Sequence, residues 1–219
     1  MLNTDTLHPI FSYRRRGFSP VKSSEAKASP PGSGFMNNVR SRGFSPENQH
    51  HHLPHININD HYQFITFRTH DSVDTYLRKL AGQNLPNSKQ QLAIDKYLDQ
   101  SRNGAYLTDE ILLFLSDFIK MKDAVLYELI SFCIMPNHVH LLIKPLDKLD
   151  RIMQLLKGCS AKIINEMMRR EGRFWAADYY DKLIRDEKHF VVVYQYIKNN
   201  PAVSGEAKAS PPRFYSIYE

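Results

Sequence analysis

The sequence predicts an α+β domain: a ferredoxin-like antiparallel sheet in the order β-α-β-β-α-β, with helices on one face and additional inserted helices. Three observations carry this. Tyr62 to Arg68 alternates aromatic and β-branched residues with polar ones, as a strand should. Residues 125–143 read as two strands across a turn at Met135-Pro136-Asn137, where Pro136 lacks a ladder donor. Apolar residues at helical spacing fill the intervals between strands.

The elements follow in order. Asp71 or Ser72 is a suitable cap for a helix through Leu77 and Leu80. A second helix is expected near Gln90 to Gln100. Thr108 caps a third over Ile111 to Ile119. Residues 125–134 and His138 to Ile143 form the hairpin. Ile152, Leu155, Leu156, Ile163, Ile164 and Met167 mark a helix over 150–170. Phe174 to Ile184 alternates loosely as a strand. Glu187 to Asn199 is the last helix, expected to stop at Asn200-Pro201.

Composition bounds the function. The chain has 219 residues and a net charge of +6. Residues 1–49 hold seven Lys and Arg against three Asp and Glu, so four of the six charges lie there. The same stretch has eight Ser, five Pro and four Gly and reads as a flexible basic extension. Residues 50–204 form the expected domain, and 205–219 a short tail. No window approaches the roughly 18 apolar residues of a membrane span. Met1 to Asp5 lacks the regions of a secretory signal. Cys133 and Cys159 make neither a disulfide framework nor a zinc pattern, and both read as small core residues. A cytoplasmic protein, nucleoid-associated when on DNA, is expected.

His138 and His140 are two apart on a strand, so both project from one face while Val139 points to the other. Two imidazoles so placed can share a metal; by spacing alone a satisfied polar pair is the commoner outcome. His50 to His52 with His55 has no matching Cys/His set for zinc.

Phe132-Cys133-Ile134-Met135-Pro136-Asn137-His138-Val139-His140-Leu141-Leu142-Ile143-Lys144-Pro145 resembles the His-hydrophobe-His segment of single-tyrosine HUH transposases, most of all the REP-associated tyrosine transposases. Leu53-Pro54-His55 with Phe64 to Arg68, Phe174-Trp175, Tyr179-Tyr180-Asp181, Ile184-Arg185-Asp186 and Tyr196-Ile197-Lys198-Asn199-Asn200-Pro201 add to it in order. The resemblance covers roughly residues 50–204.

It implies a single-strand DNA endonuclease and strand transferase acting on palindromic hairpin DNA, as a monomer or homodimer. His138 and His140 would hold Mg²⁺ or Mn²⁺, with Asn200 as third ligand. Tyr196 would attack a phosphate and form a 5′-phosphotyrosine link, releasing a 3′-OH. Lys157, Arg68 and Arg185 would contact DNA. Alternatives stand beside this. Tyr196 can simply pack on the sheet while Asn200 ends the helix, and Lys157 can be a solvated helix lysine. Tyr194 is the rival nucleophile, but four residues on it meets Lys198. The second functional reading is a catalytically degenerate hairpin-binding protein, and a third is an RNA-binding module of the same fold.

Two peptides recur. Glu25 to Pro31 repeats as Glu206 to Pro212, and Arg16 to Pro20 as Arg42 to Pro46. Back-translation of Gly205 to Pro211 permits arms GGAGAAGC and GCTTCTCC around a TAAA loop, and Gly-Phe-Ser-Pro permits the second arm in a shifted frame. Inserted palindromic elements are one origin and low-complexity linker the other. After Pro201 the chain leaves the family pattern: Ala202-Val203-Ser204 runs into the repeat, and Phe214-Tyr215-Ser216 reads as a remnant of a longer tail.

Overall fold

A computed structural model describes residues 61–82, 86–206, 208 and 212–219. The extension over 1–49, the Leu53-Pro54-His55 motif, the histidine cluster at 50–55 and the first copies of the repeats lie outside the described residues.

Five strands form one antiparallel sheet in the order β4-β1-β3-β2-β5. They are β1 (Gln63–Arg68), β2 (Tyr127–Ile134), β3 (His138–Pro145), β4 (Tyr180–Leu183) and β5 (Phe214–Ser216). The first four, in that spatial order, give the ferredoxin-like arrangement. The helices are α1 (Thr75–Ala81), α2 (Asn87–Gln100), α3 (Asp109–Met121), α4 (Leu149–Met167) and α5 (Glu187–Val203).

Strand alternation divides the core. Ile65, Phe67, Leu129, Val139, Leu141 and Ile143 face α3 and α4, which contribute Leu112, Leu115, Ile119, Ile152 and Leu156. Phe64, Ile130, Cys133 and Leu142 face α5, which contributes Phe190, Val193, Tyr194 and Ile197. Thus α3 and α4 share one face, and α5 covers the other. The inserted helices α1 and α2 pack on each other through Leu77, Leu80, Ile94 and Leu98.

Several boundaries differ from the expectation, each for a local reason. Asp71 and Ser72 sit in a short 3-10 turn, and Asp74 caps α1 by accepting from the Leu77 amide at 2.9 Å. β4 is confined to Tyr180–Leu183, because only these residues pair with β1; Trp175 makes an isolated bridge to Thr69. α5 passes through Pro201 to Val203. Pro201 supplies no donor to the Ile197 carbonyl, a loss confined to the final turn; the Ser204 hydroxyl donates to the Asn200 carbonyl. Cys159 is exposed on α4 rather than in the core.

The segment read as a tail supplies the edge strand β5. Its anchor is Arg213, only 5% exposed. Its guanidinium donates to the Leu107 and Ile134 carbonyls at 2.8 and 3.0 Å and pairs with Glu206 at 2.9 Å. A buried guanidinium is tolerable only when so many of its donors are matched.

Candidate active site

β3 is flanked by β1 and β2, so its histidines stand at the centre of the sheet. Both are fully buried. In register, His140 lies between Thr66 and Cys133, and His138 beside Arg68. This end of the α5 face is polar, and the other end, at Phe64 and Leu142, is apolar.

Each imidazole is oriented through its Nδ1. Asn137, also buried, donates its amide hydrogens to the carbonyls of Leu98, Ser101 and Asn103 at 3.1–3.3 Å. Its Oδ1 is thereby left as an acceptor 2.8 Å from His138 Nδ1. An acceptor there places the ring proton on Nδ1 and a lone pair on Nε2. Thr66 Oγ1 stands 2.8 Å from His140 Nδ1 and can do the same. The two Nε2 atoms face each other at 3.1 Å.

Burial holds both rings neutral. His140 is pushed down to about 3, and His138 falls well below its ordinary value through burial, then His140 and Arg68. Two neutral imidazoles with lone pairs aimed at one point have the donor chemistry of a cation site; with the proton of one ring on Nε2 they make a hydrogen-bonded pair instead. Two ligands at about 2.1 Å in adjacent octahedral positions are about 3 Å apart, which the Nε2 separation matches.

α5 brings Tyr196 and Asn200 to the same point, one turn apart. The Tyr196 hydroxyl oxygen is 3.4 Å from His140 Nε2, and the Asn200 amide nitrogen is 3.5 Å from it. Asn200 is 4% exposed and its Oδ1 has no hydrogen-bond partner. Half a turn of the amide exchanges these two atoms and aims an oxygen at the histidines. Among the described residues no group of three or more His, Cys, Asp and Glu is assembled for a metal. A cation here would depend on two imidazoles, an amide oxygen and oxygens from outside the protein. That donor set suits Mg²⁺ or Mn²⁺, which keep much of their shell for water and phosphate.

Two carboxylates escaped sequence reasoning. Asp95 and Asp99 are one turn apart on α2, beside the apolar stripe of Ile94 and Leu98. Asp95 accepts from the Tyr196 hydroxyl at 3.1 Å and from Gln91 at 2.6 Å. Asp99 Oδ1 is 3.6 Å from His138 Nε2 and has no hydrogen-bond partner. Burial raises Asp95 to about 7 and Asp99 to about 6. The visible signal was Gln91-x-x-x-Asp95-x-x-x-Asp99, a polar stripe on an otherwise packed helix. Asn137 was visible only as a turn residue.

The remaining tyrosines have other places. Tyr194 is buried and its hydroxyl donates to Ser216 Oγ at 2.9 Å. Tyr180 packs edge-on against Phe64, and Tyr179 donates to Asp150. Arg68 is beside the site on β1; burial lowers its pKa against the opposing charges of Asp95 and Asp178. Lys157 lies on α4, on the opposite face of the sheet from the histidines, and donates to the Ala177 carbonyl at 2.7 Å. Arg185 is exposed between β4 and α5. The structure therefore gathers His138, His140, Tyr196, Asn200 and Arg68, and leaves Lys157 and Arg185 outside. A cleft of about 700 Å³ between α2 and α5 reaches Asp95, Asp99, Tyr196 and Asn200 from solvent, with Lys96 and Arg102 along it.

Comparison with known proteins bears on the family. Residues 94–200, from α2 to the last of the gathered side chains, match the family of IS200-like transposases. A Haemophilus influenzae protein assigned to the REP-associated tyrosine transposases is 30% identical over 131 residues, covering 54% of this chain and 74% of that protein. The chain belongs to the REP-associated tyrosine transposases. Two solved structures are also similar. One is a REP-associated tyrosine transposase bound to a REP hairpin, with a TM-score of 0.42, 15% identity, and 71% of this chain and 75% of that chain covered. The other is a protein of Deinococcus radiodurans R1 assigned as a transposase, with a TM-score of 0.37, 19% identity, and 64% and 89% covered. Among the described residues no helix is long and apolar enough to cross a membrane.

Proposed function

We propose that this transposase cuts and rejoins single-stranded DNA at palindromic hairpins, with Tyr196 as nucleophile. The observation that carries the reading is the convergence on one point of two outward-aimed imidazole lone pairs, the Tyr196 hydroxyl and the Asn200 amide. His138, His140 and Asn200 would hold Mg²⁺ or Mn²⁺. When bound, the ion supplies positive charge to the scissile phosphate oxygens and to the leaving oxygen.

The chain's own groups do the rest. Asn137 and Thr66 fix the imidazole tautomers, so no ring rotation is needed at the moment of reaction. Phe64 stacks on His140 and packs edge-on against Tyr196, which holds both rings in line. Arg68 offers a guanidinium to a phosphate at the floor of the site. Lys96 and Arg102 line the α2–α5 cleft beside Asp95 and Asp99 and offer cations to the phosphates of a strand entering it. Burial and the Asp95 and Asp99 charges push the Tyr196 phenol far above its ordinary range, so free phenolate is negligible. Attack must be coupled to proton removal.

The repeated peptide supplies a probe. Arms GGAGAAGC and GCTTCTCC around TAAA make a hairpin that the enzyme's own gene would carry. Reading the codons for 205–211 tests the origin of the repeat; codons that form no inverted repeat refute it. For the enzyme, a labelled hairpin with single-stranded flanks is incubated with Mg²⁺ or Mn²⁺. A denaturant-stable protein–DNA adduct, absent in Tyr196→Phe and in chelator, is the expected result. Tight hairpin binding with no adduct under any metal would instead favour the degenerate binding protein.

A further inference from the structure

Asp95 is the group the proposed reaction leaves unexplained. It is an acidic side chain only 4% exposed, on an inserted helix, held against the one hydroxyl the chemistry would use. Its surroundings are specific. Gln91 donates to Oδ1 and the Tyr196 hydroxyl to Oδ2, so both oxygens are engaged and the carboxylate cannot rotate away. The charged and titratable groups facing it are Arg68 from β1, Tyr180 from β4, Tyr196 from α5 and Asp99 from its own helix. Arg68 is the one cation among them and favours the ionised form; burial and Asp99 oppose it.

We propose that Asp95 is the general base that takes the Tyr196 proton during strand cleavage and returns it during rejoining. This rests on the reading of Tyr196 as nucleophile. In cleavage the O–H bond of Tyr196 breaks and its proton passes to Asp95 Oδ2. The phenolic oxygen bonds to phosphorus, the P–O3′ bond breaks, and the departing 3′ oxygen takes a proton from water. In rejoining a 3′-hydroxyl bonds to the same phosphorus and yields its proton to water. The P–O bond to Tyr196 breaks, and the phenolic oxygen recovers its proton from Asp95. The same carboxyl is base in one direction and acid in the other, as microscopic reversibility requires.

The charge arrangement explains why a neighbour that disfavours phenolate can still help. An ionised Asp95 beside a neutral Tyr196 carries one negative charge. After transfer the pair still carries one charge, now on the nucleophile. No second negative charge is created in the buried site, whereas proton loss to solvent would create one. A base poised near neutrality serves both directions, and burial places the Asp95 carboxyl at about 7.

The test compares wild type, Asp95→Asn and Tyr196→Phe in single-turnover adduct formation on the GGAGAAGC/GCTTCTCC hairpin with randomised flanks, from pH 5.5 to 9. Asn keeps the shape of the site and a contact to Tyr196. Asp95→Asn is expected to form the adduct on the same tyrosine about 100-fold or more slowly with hairpin affinity unchanged. Its rate should climb steadily with pH where the wild type levels off. Wild-type rate and pH profile in Asp95→Asn would overturn the proposal while leaving Tyr196 intact. An adduct in Tyr196→Phe would overturn the nucleophile reading, and the proposal with it. Infrared spectroscopy of the protein alone adds a readout independent of cutting. The protonated-carboxyl absorption at pH 5 should lose one component in Asp95→Asn, with that of Asp99 remaining, and the same component should shift in Tyr196→Phe; absorption unchanged in both variants refutes the pairing.

Discussion

On the face of the sheet under α3 and α4, β3 contributes Val139, Leu141 and Ile143; on the face under α5 the alternate positions contribute His138, His140 and Leu142. The first face is apolar from end to end, with Trp175 and Phe174 closing its margin. The second begins apolar and ends in two lone-pair imidazoles, two carboxylates, an amide and a guanidinium. One strand thus builds the core with one set of residues and the chemistry with the other. The difference teaches where stability and reactivity are separated: the first face can be damaged without touching the reacting groups, and the second holds buried polar atoms that do not help folding.

The largest expected effect comes from breaking the apolar face. Trp175 is 3% exposed, packs edge-on with Phe67 and Phe174, and donates to Ser160 Oγ at 3.0 Å. Trp175→Ala should cost about 3–5 kcal/mol, read as a lower urea midpoint. Material still folded should form adduct at the wild-type rate.

Next in size is the burden of the reactive face. Folding raises Asp95 from its ordinary range to about 7, so it favours the protonated form. Its stabilising contribution is fully present below about pH 4 and is lost as pH rises through 7. In chelator, the stability of wild type relative to Asp95→Asn should fall across that window by on the order of 3 kcal/mol. Parallel urea titrations at pH 5 and pH 8 measure it; a constant difference would contradict the burial argument. The histidines have the opposite sign, being held below their ordinary value, so their contribution is present above about pH 6.5 and lost on acidification. They are common to both proteins and cancel in the comparison.

Asn137 joins the site to the α2 end and its following loop. Asn137→Ala removes the acceptor that sets the His138 tautomer and frees three carbonyls. A loss of about 1–2 kcal/mol and a 10–100-fold fall in metal affinity or adduct rate are expected, measured by thermal melts and metal titration. The smallest effect is the control on the apolar half of the second face. Tyr194→Phe deletes only the hydroxyl bonded to Ser216 and Glu219; it should cost about 1 kcal/mol and leave adduct formation unchanged.

The two faces also differed in how much their residues disclosed beforehand. Alternation in β1 and β3 and the helical spacing of Ile152, Leu156 and Ile164 made the apolar face legible, because burial imposes a period. His138, His140, Tyr196 and Asn200 were legible as a motif, since i, i+2 and i, i+4 spacings fix which side chains share a face. Asp95 and Asp99 were not, because nothing in the spacing of α2 says which element its polar stripe will meet 101 residues away. Lys157 resembled a phosphate ligand; its helix packs on the other face, while its ammonium feels the Arg68 charge, a placement its motif does not disclose. β5 was hidden too: three residues carry no strand period, and its position depends on Arg213 finding two distant carbonyls.

The central claim is that the polar end of the α5 face reacts through Tyr196. The direct measurement is peptide mapping, by mass spectrometry, of the adduct left after the hairpin is cut and its DNA trimmed to a nucleotide. The account predicts a single modified peptide with the nucleotide on Tyr196. A nucleotide on Tyr180, Tyr194 or any other residue would contradict it.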